Sequence, residues 1–277
     1  YFMAAVLSNQ GGYYHPLAYI SECRRMGLQV TGPDINTSQY RYYGKDKNVV
    51  VGLMAIRGLG AETAQQLLAE RQRRGPFHSL QDVTRRLRIS RDELAAMTSS
   101  GLFDSISKVS RPMQFRILLT EQEKQHEPEL FSAAEPQFPV YGTENRLVNI
   151  NNRDQAVQKQ KTAIDMESRW QEFETLGFLR SGHPLDLWNV PQGLSNIQRI
   201  FAADLASYVG RRVRLIGWPI TRKDVWTIRG ETMTFISYED ETALYETVLF
   251  PPVYQKYRTI LFDIQPFLLT GLVTQQQ

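Results

Sequence analysis

The sequence predicts a multidomain α+β protein, with a compact α-helical module in its first half and a mainly β C-terminal third. Three observations predict this. The chain has 277 residues, and single hydrophobic cores seldom grow efficiently past about 200 residues, so two or three domains are expected. From Ala61 to Gly101 apolar residues recur at helical spacing, and after Pro191 the period changes to two. Hydrophobic residues make up 42% and aromatics 11% of the chain. That is enough apolar surface for several cores, and it excludes wholesale disorder.

The first segment, residues 1–44, reads as a helical piece that opens at His15-Pro16 and runs through Met26, before the breaker-rich Gly32-Pro33-Asp34. Tyr40 to Tyr43 and Val49 to Leu53 are β-prone and separated by Gly44-Lys45-Asp46-Lys47-Asn48, which predicts a short hairpin. A helix then starts at Ala61, with Ala64, Leu67 and Leu68 on one face, and stops before Gly75-Pro76. Ser79 caps a second helix with Leu80, Val83 and Leu87 inward. Ser90 caps a third, with Leu94 and Met97 inward and Gly101 as its stop.

Beyond this module a helix is expected near Pro112 to Gln125, a Glu/Pro/Gln-rich connector over 126–152, and a charged helix from Arg153 to Leu176. In the last third Val213, Leu215 and Gly217 alternate, as do Phe235 and Ser237, and Thr247 and Leu249. A short helix at Val253 to Ile260 and a strand at Phe267 to Val273 complete the reading.

Several classes are excluded or disfavoured. The longest apolar runs, such as Ile260 to Phe262, are far below the roughly 20 residues that cross a bilayer. Tyr1 to Ser8 lack a basic flank and a cleavage site, and read as a fragment edge rather than a signal peptide. With Cys23 alone, neither an intramolecular disulfide nor a thiolate metal cluster can form within the chain, which suits a reducing cytoplasm. The four histidines are scattered with no metal-ligand spacing. His183 in Ser-Gly-His-Pro-Leu reads as a turn residue beside Pro184.

Net charge is only +3, but its distribution is uneven. Arg57 to Arg91 carries a net +5, Arg211 to Arg229 another +5, and Glu121 to Glu135 a net −4. Two basic surfaces facing a polyanion would account for this, as would ordinary solvated faces.

The sharpest motif is Ala55-Ile56-Arg57-Gly58-Leu59-Gly60-Ala61 followed by a helix. Neither glycine has a Cβ, so the backbone turns tightly and can come close to a partner. The next helix begins at once, and its unpaired N–H groups and positive dipole end suit phosphate oxygens. This is the logic of the helix-hairpin-helix, which holds duplex backbone without reading sequence. A dinucleotide fingerprint needs a third glycine where Thr63 stands, and a βαβ unit. A plain tight turn between packed helices is the other reading.

The run Val51-Gly52-Leu53-Met54-Ala55-Ile56-Arg57-Gly58-Leu59-Gly60, then Gly75-Pro76-Phe77-His78-Ser79-Leu80-Gln81-Asp82-Val83, then Ser100-Gly101-Leu102-Phe103-Asp104 resembles the tandem helix-hairpin-helix domain of C-family DNA polymerases, the bacterial DNA polymerase III alpha subunits. Upstream, Tyr19 to Gly27 and Pro33-Asp34-Ile35-Asn36 are similar to the end of that family's fingers. Downstream, Glu174 to Leu185 is similar to the segment leading to its OB domain.

The resemblance implies domains at 1–44 (end of fingers), 45–106 (tandem helix-hairpin-helix), 107–190 (helical and flexible linker) and 191–277 (an OB-type barrel, possibly truncated after its fourth strand). It implies that Arg57, Gly58, Leu59 and Gly60 contact duplex DNA, with further phosphate contacts among Arg71, Arg73, Arg74, Arg85, Arg86 and Arg88. In the barrel it implies a basic loop with Arg222, Lys223, Trp226 and Arg229. Trp226 and Tyr238 are the candidate stacking platforms for single-stranded DNA, or else rings of the barrel core.

Glu127-Pro128-Glu129-Leu130-Phe131 departs from the family's clamp peptide at the glutamine, leaving Leu130 and Phe131 as clamp anchors or as part of an acidic linker. Polymerase chemistry needs paired carboxylates for two divalent ions. The chain has no Asp-X-Asp, and Glu239-Asp240-Glu241 reads as structural. No catalytic residue, metal site or cofactor is therefore assigned here; Mg2+ is expected of the parent polymerase.

Two other classes remain. One is a scaffold docking the sliding clamp or another replisome subunit, and the other an unrelated hairpin-plus-barrel nuclease or ligase, which lacks its nucleophile or carboxylate cluster here.

Overall fold

A computed structural model describes residues 1–10, 14–126, 165–188, 199–263 and 265–275. The chain divides into two compact units. One comprises Tyr1–Thr31, Tyr42–Val51 and Gly177–Gln277; the other comprises Gly32–Arg41 and Gly52–Leu176.

The second unit is helical. A three-residue 3-10 turn, Leu53–Ala55, precedes α3, Ala61–Arg74, which is followed by α4, Leu80–Arg86, α5, Arg91–Ser99, and α6, Arg111–His126. A further helix, α7, spans 165–176. The predicted caps are in place. Ser79 Oγ accepts from the Asp82 N–H at 3.2 Å, and Ser90 Oγ accepts from the Glu93 N–H at 3.3 Å. Gly75 and Gly101 stop their helices with positive φ, where a side chain would be strained.

The inward faces are largely the expected ones: Ala64, Leu67, Leu80, Val83, Leu87, Leu94 and Met97 are all buried, as are Phe77 and Phe103, while Leu68 is half-buried. Each of the Leu, Val, Met and Phe side chains stabilises the unit by about 1.5–3 kcal/mol through removal from water. A buried polar link adds to them, Arg111 pairing with Asp104 at 3.0 Å and with Glu172 at 2.8 Å.

The first unit holds α1, Phe2–Asn9, and α2, Pro16–Arg25, beside a three-stranded sheet of β1, Gln29–Thr31, β2, Tyr43–Lys45, and β3, Asn48–Val50. The predicted hairpin is β2–β3, tightened by positive φ at Asp46 and Lys47. The parallel pairing of β1 with β3 was not expected from so short a strand.

The same unit carries the C-terminal sheet: β4, Arg212–Trp226, β5, Thr232–Glu239, β6, Leu244–Leu249, and β7, Phe267–Leu272, in the order β6-β5-β4-β7. Helix α8, Pro251–Tyr257, joins β6 to β7. The long β4 pairs with β7 through its first half and with β5 through its second, around an irregularity between Pro219 and Thr221. This strand use and the mixed α+β content fit a helix-hairpin-helix module with an OB-type sheet. Ile236, Tyr238 and Phe267 form its core, with Tyr245, Leu249, Leu261 and Leu269 packed around them.

Glu239, fully buried, accepts from Ser21 Oγ at 2.9 Å and faces His183 Nε2 at 3.2 Å and Arg25 Nη1 at 3.4 Å. His183 Nδ1 accepts from the Leu185 N–H at the head of the 3-10 turn Pro184–Leu187, which leaves Nε2 to donate to the carboxylate. The Ser-Gly-His-Pro segment thus fixes a turn.

Candidate nucleic-acid interface

The Arg57–Gly60 turn is built by its backbone. Gly58 has φ +90°, and Gly60, with φ −68°, is the N-cap of α3. Arg57 N–H donates to Thr175 O at 3.0 Å and Leu59 N–H to Ile56 O at 3.2 Å. Arg57, Gly58 and Gly60 are exposed and Leu59 is half-buried. The first intrahelical bond runs from Ala64 N–H to Gly60 O, so the N–H groups of residues 61–63 have no acceptor four residues back within the helix.

Sequence reasoning missed one member of this turn. Glu93, from α5, accepts the Gly60 N–H at 3.1 Å. Partial burial pushes its carboxyl up, but donors from Thr63, Ser90 and Gly60 outweigh it and hold the group below the usual carboxylate range. The Ser90-X-X-Glu93 spacing is a capping-box signature and could have placed Glu93 beside Ser90, though not beside Gly60.

The arginines divide into two sets. Arg85 and Arg88 are exposed, and Arg73 and Arg74 are exposed on the last turn of α3, where both reach Glu70. Arg71 and Arg86 are drawn inward. Arg71 Nη1 donates to Ile35 O at 2.9 Å. Arg86 grips Asp82 at 2.7 Å, donates to Gly75 O at 3.0 Å and stacks 4.9 Å over Phe77.

In the OB-type sheet the candidates separate the same way. Lys223, Trp226 and Arg229 are exposed, Trp226 at 74%, but only Arg229 lies in the β4–β5 turn; Arg222, Lys223 and Trp226, expected in a loop, are paired residues of β4. Arg222 is occupied. It holds Asp224 in two bonds of 2.8 Å, reaches Tyr254 Oη at 3.3 Å and lies 4.4 Å over the Phe262 ring. The Arg222 guanidinium holds the Asp224 carboxyl below the usual range.

Tyr238 is fully buried, stacked on Tyr245 with ring centroids 5.9 Å apart, so its ring has no face to offer a base. A half-buried ring that sequence reasoning did not select, Phe235, lies in register between Lys223 on β4 and Val248 on β6. The clamp-anchor candidates Leu130 and Phe131 lie outside the described residues. Among the described residues no three His, Cys, Asp or Glu side chains converge as a metal site requires. No helix among them is long and apolar enough to cross a membrane.

Comparison with known proteins agrees with the motif reading. The helix-hairpin-helix motif family matches residues 27–113. The error-prone DNA polymerase of Rhodopirellula baltica is 27% identical, over 98% of this chain and 22% of its own length. That of Anaeromyxobacter dehalogenans is 29% identical, over 97% of this chain and 23% of its own. The DNA polymerase III subunit alpha of Borreliella burgdorferi is 29% identical, over 99% and 24%. The chain therefore spans about a quarter of the length of the curated relatives it matches. Along nearly its whole length it is similar to a segment of bacterial DNA polymerase III alpha subunits and error-prone DNA polymerases, and its own residues 27–113 match the helix-hairpin-helix motif.

Proposed function

We propose that this chain is a DNA-holding segment of a bacterial C-family polymerase. The observation that carries the proposal is the exposed Gly58-Leu59-Gly60 turn at the head of α3, inside the matched motif. A duplex phosphate meets there a backbone without Cβ atoms at Gly58 and Gly60, the α3 dipole and the N–H groups of residues 61–63. Arg57, Arg85 and Arg88, with Arg73 and Arg74, supply screening charge. Such contacts hold the duplex without reading bases.

The OB-type sheet receives single-stranded template. Lys223 and Arg229 face the phosphates, while Trp226 and the half-buried Phe235 offer π-faces to unstacked bases. Arg222 acts as a brace within the fold. Nucleotidyl transfer, with its Mg2+, belongs to the parent polymerase.

The test is a titration against duplex and single-stranded DNA over a range of salt. Binding at low salt that weakens steeply as salt rises is expected, because phosphate contacts release counterions. No binding at low salt, or binding indifferent to salt, rejects the proposal.

A protein-docking reading draws on one observation. Phe250, Val253 and Phe262 of the OB-type unit are exposed, at 62%, 45% and 73%. Sliding clamp captured by the wild type but not after Leu130→Ala with Phe131→Ala would favour the linker peptide as its anchor. Unchanged capture would dismiss that peptide.

A further inference from the structure

Glu93 lies against the Gly60 turn at the head of α3. Its Oε1 accepts the Gly60 N–H, while Oε2 accepts Ser90 Oγ at 2.8 Å and the Ser90 N–H at 3.3 Å. Thr63 also bonds to the carboxylate. The approach depends on glycine, since a Cβ at Gly60 would stand 2.9 Å from Oε1. The two oxygens divide the work, one on the α3 head and one on the α5 cap. Glu93 is only half-buried, so an incoming group can reach it.

A backbone phosphate and this carboxylate seek the same donors with the same sign of charge. We propose that Glu93 is the resident anion of the α3 head, occupying the phosphate seat in the unbound protein and leaving it when duplex DNA docks. The inference rests on the hairpin reading above. Glu93 is then a positioning residue with two effects. It keeps the turn open in the shape a phosphate needs, and it lowers affinity, because every docking event must displace a like charge.

The experiment uses the full chain and a fluorescently labelled duplex of random sequence, followed by anisotropy at low and moderate salt. Glu93→Gln keeps an acceptor for Gly60 and removes the charge. It is expected to tighten binding about fivefold at low salt, the effect of one like-charge contact near 4 Å in water, with the gain shrinking as salt rises. Ser90→Ala weakens the α5 cap but leaves the charge in place, so it should lower the melting temperature and leave the dissociation constant unchanged.

In the wild type, the Gly60 amide resonance should move when duplex is added, as its acceptor changes from carboxylate to phosphate. Equal or weaker binding by a folded Glu93→Gln chain, or a Gly60 amide that does not respond, overturns the role of Glu93. If Glu93→Gln does not fold, the Gly60 amide in the wild type decides alone. A wild type that binds no duplex at low salt overturns the hairpin reading and this inference with it.

Discussion

Replacing Gly58 with alanine isolates what the hairpin asks of its backbone. At φ +90° an L-residue is strained by about 1–2 kcal/mol. The added Cβ would also stand 3.2 Å from Ala96 Cβ, tight enough to require α5 to yield by a few tenths of an ångström, which costs about 1 kcal/mol more. Gly58→Ala should therefore destabilise the helical unit by about 2–3 kcal/mol.

Gly60→Ala provides the contrast. Its φ of −68° suits any residue, and its Cβ meets only the movable end of Glu93 at 2.9 Å. The chain entropy lost in the unfolded state offsets that push, leaving a net change below about 1 kcal/mol. Urea unfolding followed by far-ultraviolet circular dichroism measures both. Gly58→Ala within about 0.5 kcal/mol of wild type, the scatter of neutral substitutions, would refute the strain argument, as would Gly60→Ala proving the costlier of the two.

Three further predictions concern the OB-type unit. Glu239→Ala unmakes the buried Ser21 and His183 bonds and takes one of two carboxylates from Arg25, which keeps Glu22 at 2.9 Å, so it should cost about 2–3 kcal/mol; urea unfolding by tryptophan fluorescence, to which Trp218 contributes as its cross-strand neighbour, reads this out. Gly217→Ala would place a methyl 2.8 Å from Tyr238 Cβ and in overlap with the Tyr245 hydroxyl. A loss of about 1–3 kcal/mol and a changed near-ultraviolet tyrosine signal are expected.

Burial pushes the Asp240 carboxyl up, but bonds from Thr242, Ala202 and Ala243 outweigh it and hold it below the usual range. A depressed carboxyl stabilises the fold above its unfolded value, near 4, and loses that stabilisation as pH falls through the folded value. The stability gap between wild type and Asp240→Asn should therefore be full at neutral pH and close below about pH 4.

Much of this was legible because it is local. Ser79, Ser90, Gly75 and Gly101 bound their helices through neighbours within four residues, and the alternation of Val213, Leu215 and Gly217 exposed a strand directly. What failed to read out depends on distant partners. Arg222 resembles a free cation in a basic loop until Tyr254 and Phe262, some 30 to 40 positions on, close over it. Tyr238 looks equally fit for platform or core, and Tyr245 across the β5–β6 pairing settles it as core. Glu93 stands at capping-box spacing from Ser90, yet its other oxygen serves a turn 33 residues earlier. The compact units likewise interleave segments such as Tyr1–Thr31 and Gly177–Gln277, an arrangement no linear composition shift reveals.

The central claim, that the exposed cations Arg57, Arg85 and Arg88 of the helical unit hold duplex phosphates, is tested most directly by the salt dependence of duplex binding. The comparison sets the wild type against a chain carrying Arg57→Ala, Arg85→Ala and Arg88→Ala together. Each lost phosphate contact should lower the slope of log affinity against log salt by about 0.9, so a fall of about 2–3 is predicted. An unchanged slope in the folded triple variant would contradict the account.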